Sequence, residues 1–184
     1  MAEIGETPGR FSAPVPLTAE HDLSRFDCGE PALNEWLRRR ALQNESRFSR
    51  SYVVCADARV VAYVSISAGS VDRASAPGKV RRNAPDAMPV AVIGRLAVDR
   101  AYSRQGLGAD LLADALRRIA LASQSIGIGA VLVHAKDEAA KRFYLKCAEF
   151  IEFPEESRIL FLPIETVVAA FGQAGKLARH VAAT

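Results

Sequence analysis

The 184-residue sequence predicts one domain built on a mixed α/β sheet rather than on regular βαβ alternation. Three stretches carry that prediction. Ser51–Ala56 and Val60–Val71 are strand-forming runs joined by Asp57–Ala58–Arg59, which reads as a hairpin. Val92–Ile119 reads as a buried strand, a polar turn holding Gly106 and Gly108, and an amphipathic helix. Ala130–His134 is an apolar interior strand, followed by a short helix at Asp137–Cys147 and two further strands at Phe150–Phe153 and Arg158–Leu162.

Taken in order, residues 1–16 carry Gly5, Pro8, Gly9, Pro14 and Pro16 and are expected to form a flexible N-terminal arm. The folded domain is expected over 17–172. Leu17–Phe26 suits either an edge strand or a short helical piece. Pro31 suits the first turn of a helix, and Leu33, Trp36, Leu37 and Ala41 then lie near one face, with Arg38, Arg39 and Arg40 mostly on the other. Asp72–Pro89 turns polar, with Pro77, Gly78, Pro85 and Pro89, and reads as a long surface loop. In the helix after the glycine turn, Leu107, Leu111, Leu112, Ala115, Ile119 and Ala122 recur at helical spacing. Ala140, Phe143, Tyr144 and Cys147 share a face of the next helix. Pro163–Phe171 is a last helix that Gly172 should end, leaving 173–184 as a C-terminal tail.

Composition narrows the function classes. No apolar run is long enough for a transmembrane helix, and MAEIGETPGRF lacks the basic head and apolar block of a secretory signal. Cys28, Cys55 and Cys147 are widely spaced and read as reduced thiols of a cytoplasmic protein. His21, His134 and His180 show no metal-ligand spacing, so no metal site is expected. The formal net charge is only +3, but it is uneven. Arg38, Arg39, Arg40, Arg47 and Arg50 form one cationic group; Arg73, Lys79, Arg81, Arg82, Arg95, Arg100 and Arg104 form another. Such clusters suit a polyanionic partner, or simply solvated faces.

The glycine turn points to a phosphorylated ligand, because glycine allows close backbone approach and a helix N-terminus favours an anion. A Walker loop is excluded by the missing Gly-Lys-Ser/Thr. A dinucleotide fingerprint is excluded by Leu111, where a small residue is needed, and by the lack of an acidic residue on a following strand. A plain structural helix entry remains the alternative. For Tyr144 the alternative is a core tyrosine whose hydroxyl finds one partner.

DRAYSRQGLGADLL resembles the coenzyme A pyrophosphate motif of the GNAT superfamily of N-acetyltransferases. DEAAKRFYLKCAEF resembles the second cofactor motif of that superfamily, whose tyrosine is commonly the general acid. FDCGEPALNEWLRRRAL, GRLAVD and RILFLPIETV are similar to the GNAT toxins of type II toxin–antitoxin operons, which acetylate aminoacyl-tRNA. Two departures stand out. Ser103 occupies a place where the family often carries Arg or Gln, and Ala148, Glu149 and Phe150 stand where the second motif usually ends Gly-Phe.

The resemblance implies a mostly antiparallel central sheet flanked by helices and splayed at an acetyl-CoA site. It implies Tyr144 as the catalytic acid. Leu96, Ala97, Val98, Ser103, Arg104, Gln105, Gly106, Leu107, Gly108, Ala109 and Asp137 are the expected cofactor contacts. Arg38, Arg39, Arg81, Arg82 and Arg95 are the expected tRNA contacts, with a salt bridge across the sheet as the alternative role of Arg95. The expected partners are aminoacyl-tRNA, a ribbon-helix-helix antitoxin and a second copy of the chain. An ordinary GNAT acting on a small amine or a protein N-terminus is the alternative, followed by a CoA-binding module without turnover.

Overall fold

The structure is a computed structural model and describes residues 11–181, with side chains through Gly172. Seven strands form one sheet: β1 (Val15–Pro16), β2 (Arg50–Ala56), β3 (Arg59–Asp72), β4 (Ala87–Val98), β5 (Ala130–His134), β6 (Ile151–Glu152) and β7 (Ile159–Pro163). Their order is β1-β2-β3-β4-β5-β7-β6. β1–β2, β5–β7 and β6–β7 are antiparallel, and β4–β5 is parallel. The helices are α1 (Pro31–Arg39), α2 (Ala41–Asn44), α3 (Gly78–Arg81), α4 (Leu107–Ala122), α5 (Glu138–Cys147) and α6 (Ile164–Val181). This is the mixed, mostly antiparallel sheet that the sequence predicts.

The chain divides into two compact units. One holds the chain through Ser65 together with Arg95–Leu112; the other holds Ile66–Gly94 and the chain from Ala113 onward. In the first, Phe26, Leu37, Ala41, Val53, Val60, Tyr63 and Ala97 bury one apolar cluster. α1 contributes Leu37 and half-buried Leu33 and Trp36, as its 3.6-residue spacing requires. In the second, Ala76, Val80, Met88, Val90, Ala130 and Phe161 form a cluster. The parallel ladder there runs from Val90–Ala130 to Ile93–Val133, while β4 itself continues to Val98.

Several expectations are corrected. Of the N-terminal arm expected over 1–16, residues 1–10 lie outside the described residues. The rest is paired chain: Phe11 bridges Ala56, Ser12 donates its amide to Cys55 at 2.8 Å, and Val15–Pro16 pair with β2. Leu17–Phe26 is neither strand nor helix. It is a turn segment that buries Leu17 and Phe26 and makes a one-residue bridge, Asp22 to Arg59. The loop expected over Asp72–Pro89 is partly interior. A 3-10 turn at Arg73–Ser75 and α3 bury Ala76 and Val80, and β4 starts at Ala87. Pro89 lies inside β4: it supplies no amide donor, its carbonyl accepts from the Gly129 amide at 2.8 Å, and Met88 and Val90 on either side turn inward.

On α4, Leu116 and Ala120 are buried with the predicted positions, whereas Ala122 is exposed. Gly172 does not end the last helix. It lacks the positive φ of a helix terminator, and α6 runs through it to Val181. The tail expected over 173–184 is therefore helical to Val181, and 182–184 lie outside the described residues.

Candidate active site

The turn ahead of α4 alternates in backbone handedness. Arg104 has φ 62° and Gly106 φ 82°, while Gln105 between them is not in the positive region and Leu107 is helical. Alternation of left- and right-handed residues makes successive amides converge on one side, which is the geometry of an anion nest. The first helical bond of α4 runs from the Asp110 amide to the Gly106 carbonyl at 3.1 Å. The amides of Leu107, Gly108 and Ala109 therefore have no intrahelical acceptor. A Cβ added at Gly106 would meet nothing within 4 Å, so the turn faces open space. Ser103, Arg104, Gln105 and Gly106 are all exposed. These residues fit a pyrophosphate, held mainly by backbone. Ser103 donates its hydroxyl to the Arg100 carbonyl at 3.0 Å and so closes a 3-10 turn at Arg100–Tyr102.

Asp99 holds that turn in place. It is only 1 % exposed. Its Oδ2 accepts from Arg59 Nη2 at 2.8 Å and from the Asp27 amide at 3.1 Å, and its Oδ1 accepts from the Ala101 amide at 2.9 Å. Arg59 also lies over the Tyr102 ring at 5.2 Å. Asp27 pairs with Arg100 and accepts from the Gly29 amide and from Asn34, each at 2.9 Å. Those hydrogen bonds, the Gly29 one first, and the Arg100 charge hold its carboxyl below the usual range. Partners separated by up to 73 positions give no local sequence signal for this network.

Arg95 does not make the salt bridge allowed as its alternative role. Its guanidinium lies 4.1 Å from the centroid of Trp36, a cation–π contact. Trp36 stacks on Tyr63 at 5.9 Å and 14°, and the Tyr63 hydroxyl donates to the Leu33 carbonyl at 2.9 Å. Burial pushes the Tyr63 phenol far above its usual range. Among the described residues Arg95 has no carboxylate partner, so its donors remain available on a fixed platform.

Tyr144 lies on α5 with 7 % exposure, edge-on to Phe143 and Phe150 at 5.3 and 5.9 Å. Phe150, at the departure from the family's Gly-Phe ending, thus still packs on the tyrosine. Among the described residues nothing hydrogen-bonds the Tyr144 hydroxyl. The hydroxyl is not among the fully buried atoms that lack a partner, so the ring is packed while the oxygen reaches the surface. Burial, with a smaller push from Cys147, raises its pKa to about 12.

Asp137, expected among the cofactor contacts, is the N-cap of α5. It accepts from the Ala140 amide at 2.8 Å and pairs with Lys136 at 3.2 Å, and the amide bond first, then Lys136, hold its carboxyl low. Of the tRNA candidates, Arg38 folds back onto the Phe26 carbonyl, and Arg39 pairs with Glu35 at 3.4 Å. Arg81 and Arg82 line an open depression with Arg73. No group of His, Cys, Asp or Glu among the described residues could hold a metal ion, and no described helix is long and apolar enough to cross a membrane.

An open anion nest at a strand-to-helix turn and, on a later helix, a protonated phenol are each features that an acyl-CoA-dependent transferase requires. Residues 17–150 match the acetyltransferase (GNAT) family, and the chain belongs to it. It is 47% identical over 136 residues to a tRNA-acetylating toxin of Mycobacterium tuberculosis, spanning 73% of this chain and 82% of that protein. Among solved structures it is similar to AtaT complexed with acetyl-methionyl-tRNAfMet, with a TM-score of 0.80, 32% identity, and coverage of 88% of this chain and 99% of that one. It is also similar to a tyrosine-to-phenylalanine mutant of AtaT bound to the C-terminus of the antitoxin AtaR and acetyl-CoA, with a TM-score of 0.76, 31% identity, and coverage of 88% and 98%.

Proposed function

We propose that this N-acetyltransferase moves acetyl from acetyl-CoA to the amino group of aminoacyl-tRNA and so blocks translation, acting as the toxin of a toxin–antitoxin pair. The hydroxyl of Tyr144, on a buried ring, kept protonated and without an internal acceptor among the described residues, carries the chemical part of this reading. The 47% identity to a tRNA-acetylating toxin over 82% of its length supports the choice of acceptor. The cytoplasm, where charged tRNA resides, is the place of action, and a ribbon-helix-helix antitoxin is the partner that silences it.

Acetyl-CoA supplies an activated acyl group as a thioester. The nest from Arg104 to Ala109, with Ser103 closing its approach, binds the pyrophosphate. The backbone of Leu96, Ala97 and Val98 pairs with the pantetheine arm as an added strand would. The Val98 amide donates to the carbonyl oxygen as negative charge develops on it. Tyr144 gives its proton to the leaving thiolate, so the C–S bond breaks without expelling a bare anion.

No side chain is assigned as a general base. Asp99, one carboxylate near the turn, is committed to Arg59 and two backbone amides. An α-amine with a pKa near 8 keeps an appreciable neutral fraction at pH 7, so an aminoacyl ester needs little help, unlike a lysine near 10.4. Arg95, fixed on Trp36, meets the acceptor end of the tRNA.

Cell-free translation tests the reading. Wild-type protein with acetyl-CoA should arrest synthesis, fresh charged tRNA should restore it transiently, and Tyr144→Phe should leave it running. Unimpaired synthesis with the wild-type protein and acetyl-CoA would contradict the proposal.

A further inference from the structure

Between Asp27 and Asn34 the chain takes no direct part in acetyl transfer, yet the fold ties it to both substrate sites. Asp27 lies outside every helix and strand, and its two carboxylate oxygens serve different elements. Oδ1 accepts from the Gly29 amide and from Asn34 Nδ2, each at 2.9 Å, while Oδ2 pairs with Arg100. The backbone beside it is fastened to the same turn. The Arg100 amide donates to the Asp27 carbonyl at 2.9 Å, and the Asp27 amide donates to Asp99 Oδ2 at 3.1 Å. Arg100 opens the 3-10 turn that leads through Ser103 into the left-handed Arg104 of the nest.

Asn34 belongs to α1 and is buried. Its Oδ1 accepts from the Cys28 amide at 2.9 Å, so both ends of its side-chain amide are spent on the Asp27 loop. Glu30, the N-cap of α1, makes no side-chain cap bond. A helix needs only a local Ser, Asp or Asn to satisfy its first amides. Here the start of α1 is instead bonded to a carboxylate that also grips a turn 73 positions away. Two residues beyond Asn34, Trp36 carries the Arg95 guanidinium at 4.1 Å. The contacts therefore close a ring. It runs from Arg95 to Trp36, along α1 to Asn34, through Asp27 to Arg100, and back down β4 past Val98 and Leu96. Every residue of the ring lies in the first compact unit.

We propose that Asp27 is a positioning residue that fixes α1, and with it the Arg95 guanidinium, against the turn that holds the cofactor pyrophosphate. The inference rests on the proposed function, in which Arg95 meets the acceptor and the nest holds acetyl-CoA. A small displacement of one against the other costs rate although no group touching substrate is lost.

A double-mutant cycle tests this, with kinetics on charged tRNA at saturating acetyl-CoA. Asp27→Ala and Arg95→Gln should each lower kcat/KM for charged tRNA roughly tenfold. The double variant should fall no further than the worse single one, because Asp27 acts through Arg95. Independent effects, including a plain loss of stability, would instead multiply to about a hundredfold. Asp27→Asn can still accept from the Gly29 amide but offers Arg100 no charge, so it should lie between wild type and Asp27→Ala, and Arg100→Gln should match it. These two changes fall on half-exposed and exposed residues and carry the test if Asp27→Ala unfolds. Losses that multiply in the double variant would overturn the role, as would wild-type kinetics in both Asp27→Asn and Arg100→Gln. An unaffected Arg95→Gln would overturn it too, since nothing would be left for Asp27 to position. If the wild-type protein acetylates no charged tRNA, the proposed function itself fails and this role falls with it. That outcome is recognisable because the loss precedes any substitution.

Discussion

Two buried tyrosines differ by one bond. Tyr63 donates to the Leu33 carbonyl, whereas the Tyr144 hydroxyl is paired with nothing among the described residues. Tyr144→Phe should lower turnover by roughly 10²–10⁴-fold with little change in acetyl-CoA affinity, measured by steady-state kinetics and calorimetry. The same change at Tyr63 should act on stability instead. With the Tyr144 phenol pushed up to about 12, its acid form is fully present below that value and is lost only as pH rises through it. The rate should therefore climb through the acceptor amine's pKa near 8 and stay level to about pH 10. A falling limb centred between those values would remove Tyr144 as the acid. The identity of Tyr144 is legible in the sequence, since FYLKC resembles a known motif; its unpaired hydroxyl is not, because the surroundings of a side chain are a tertiary fact. Arg95 shows the same limit. Its position beside Leu96–Val98 is readable, but the Trp36 platform lies on a helix far back in the chain.

At the scale of elements, the strand–turn–helix from β4 to α4 carries the cofactor argument. Gly106→Ala meets no steric block, but an L-residue at φ 82° is strained by about 1–2 kcal/mol. The turn would relax and the nest would open, so acetyl-CoA affinity should fall roughly 5–30-fold. Calorimetric titration reads this directly, and unchanged affinity would argue against the nest. Asp99→Ala tests the support beneath it. The variant strands the part-buried Arg59, whose Nε already lacks a partner, and should cost about 3 kcal/mol in urea unfolding. β5 stands where its apolar run predicts it, and α5 starts at Glu138, one residue after the predicted start. The misread elements have physical causes: Pro89 reads as a breaker but keeps its carbonyl bond, and Gly172 reads as a stop but stays helical inside α6. Arg104 in the left-handed region has no sequence signal, because nothing but tertiary context selects it.

Across the whole molecule, a net charge of +3 hides a sorting of cations. Of the arginines expected to meet tRNA, Arg38 and Arg39 are engaged within the protein, while Arg81, Arg82 and Arg95 hold unspent donors. The charge clusters were readable in the sequence; which cations the fold consumes was not. The proposed function as an acetylating toxin stands on these free cations, the nest and the phenol together. The most direct measurement incubates the protein with labelled acetyl-CoA and with charged or uncharged tRNA at increasing salt. Label should appear on charged tRNA alone, on the aminoacyl moiety, and fall away as salt rises. Label on small amines with none on charged tRNA would contradict the account.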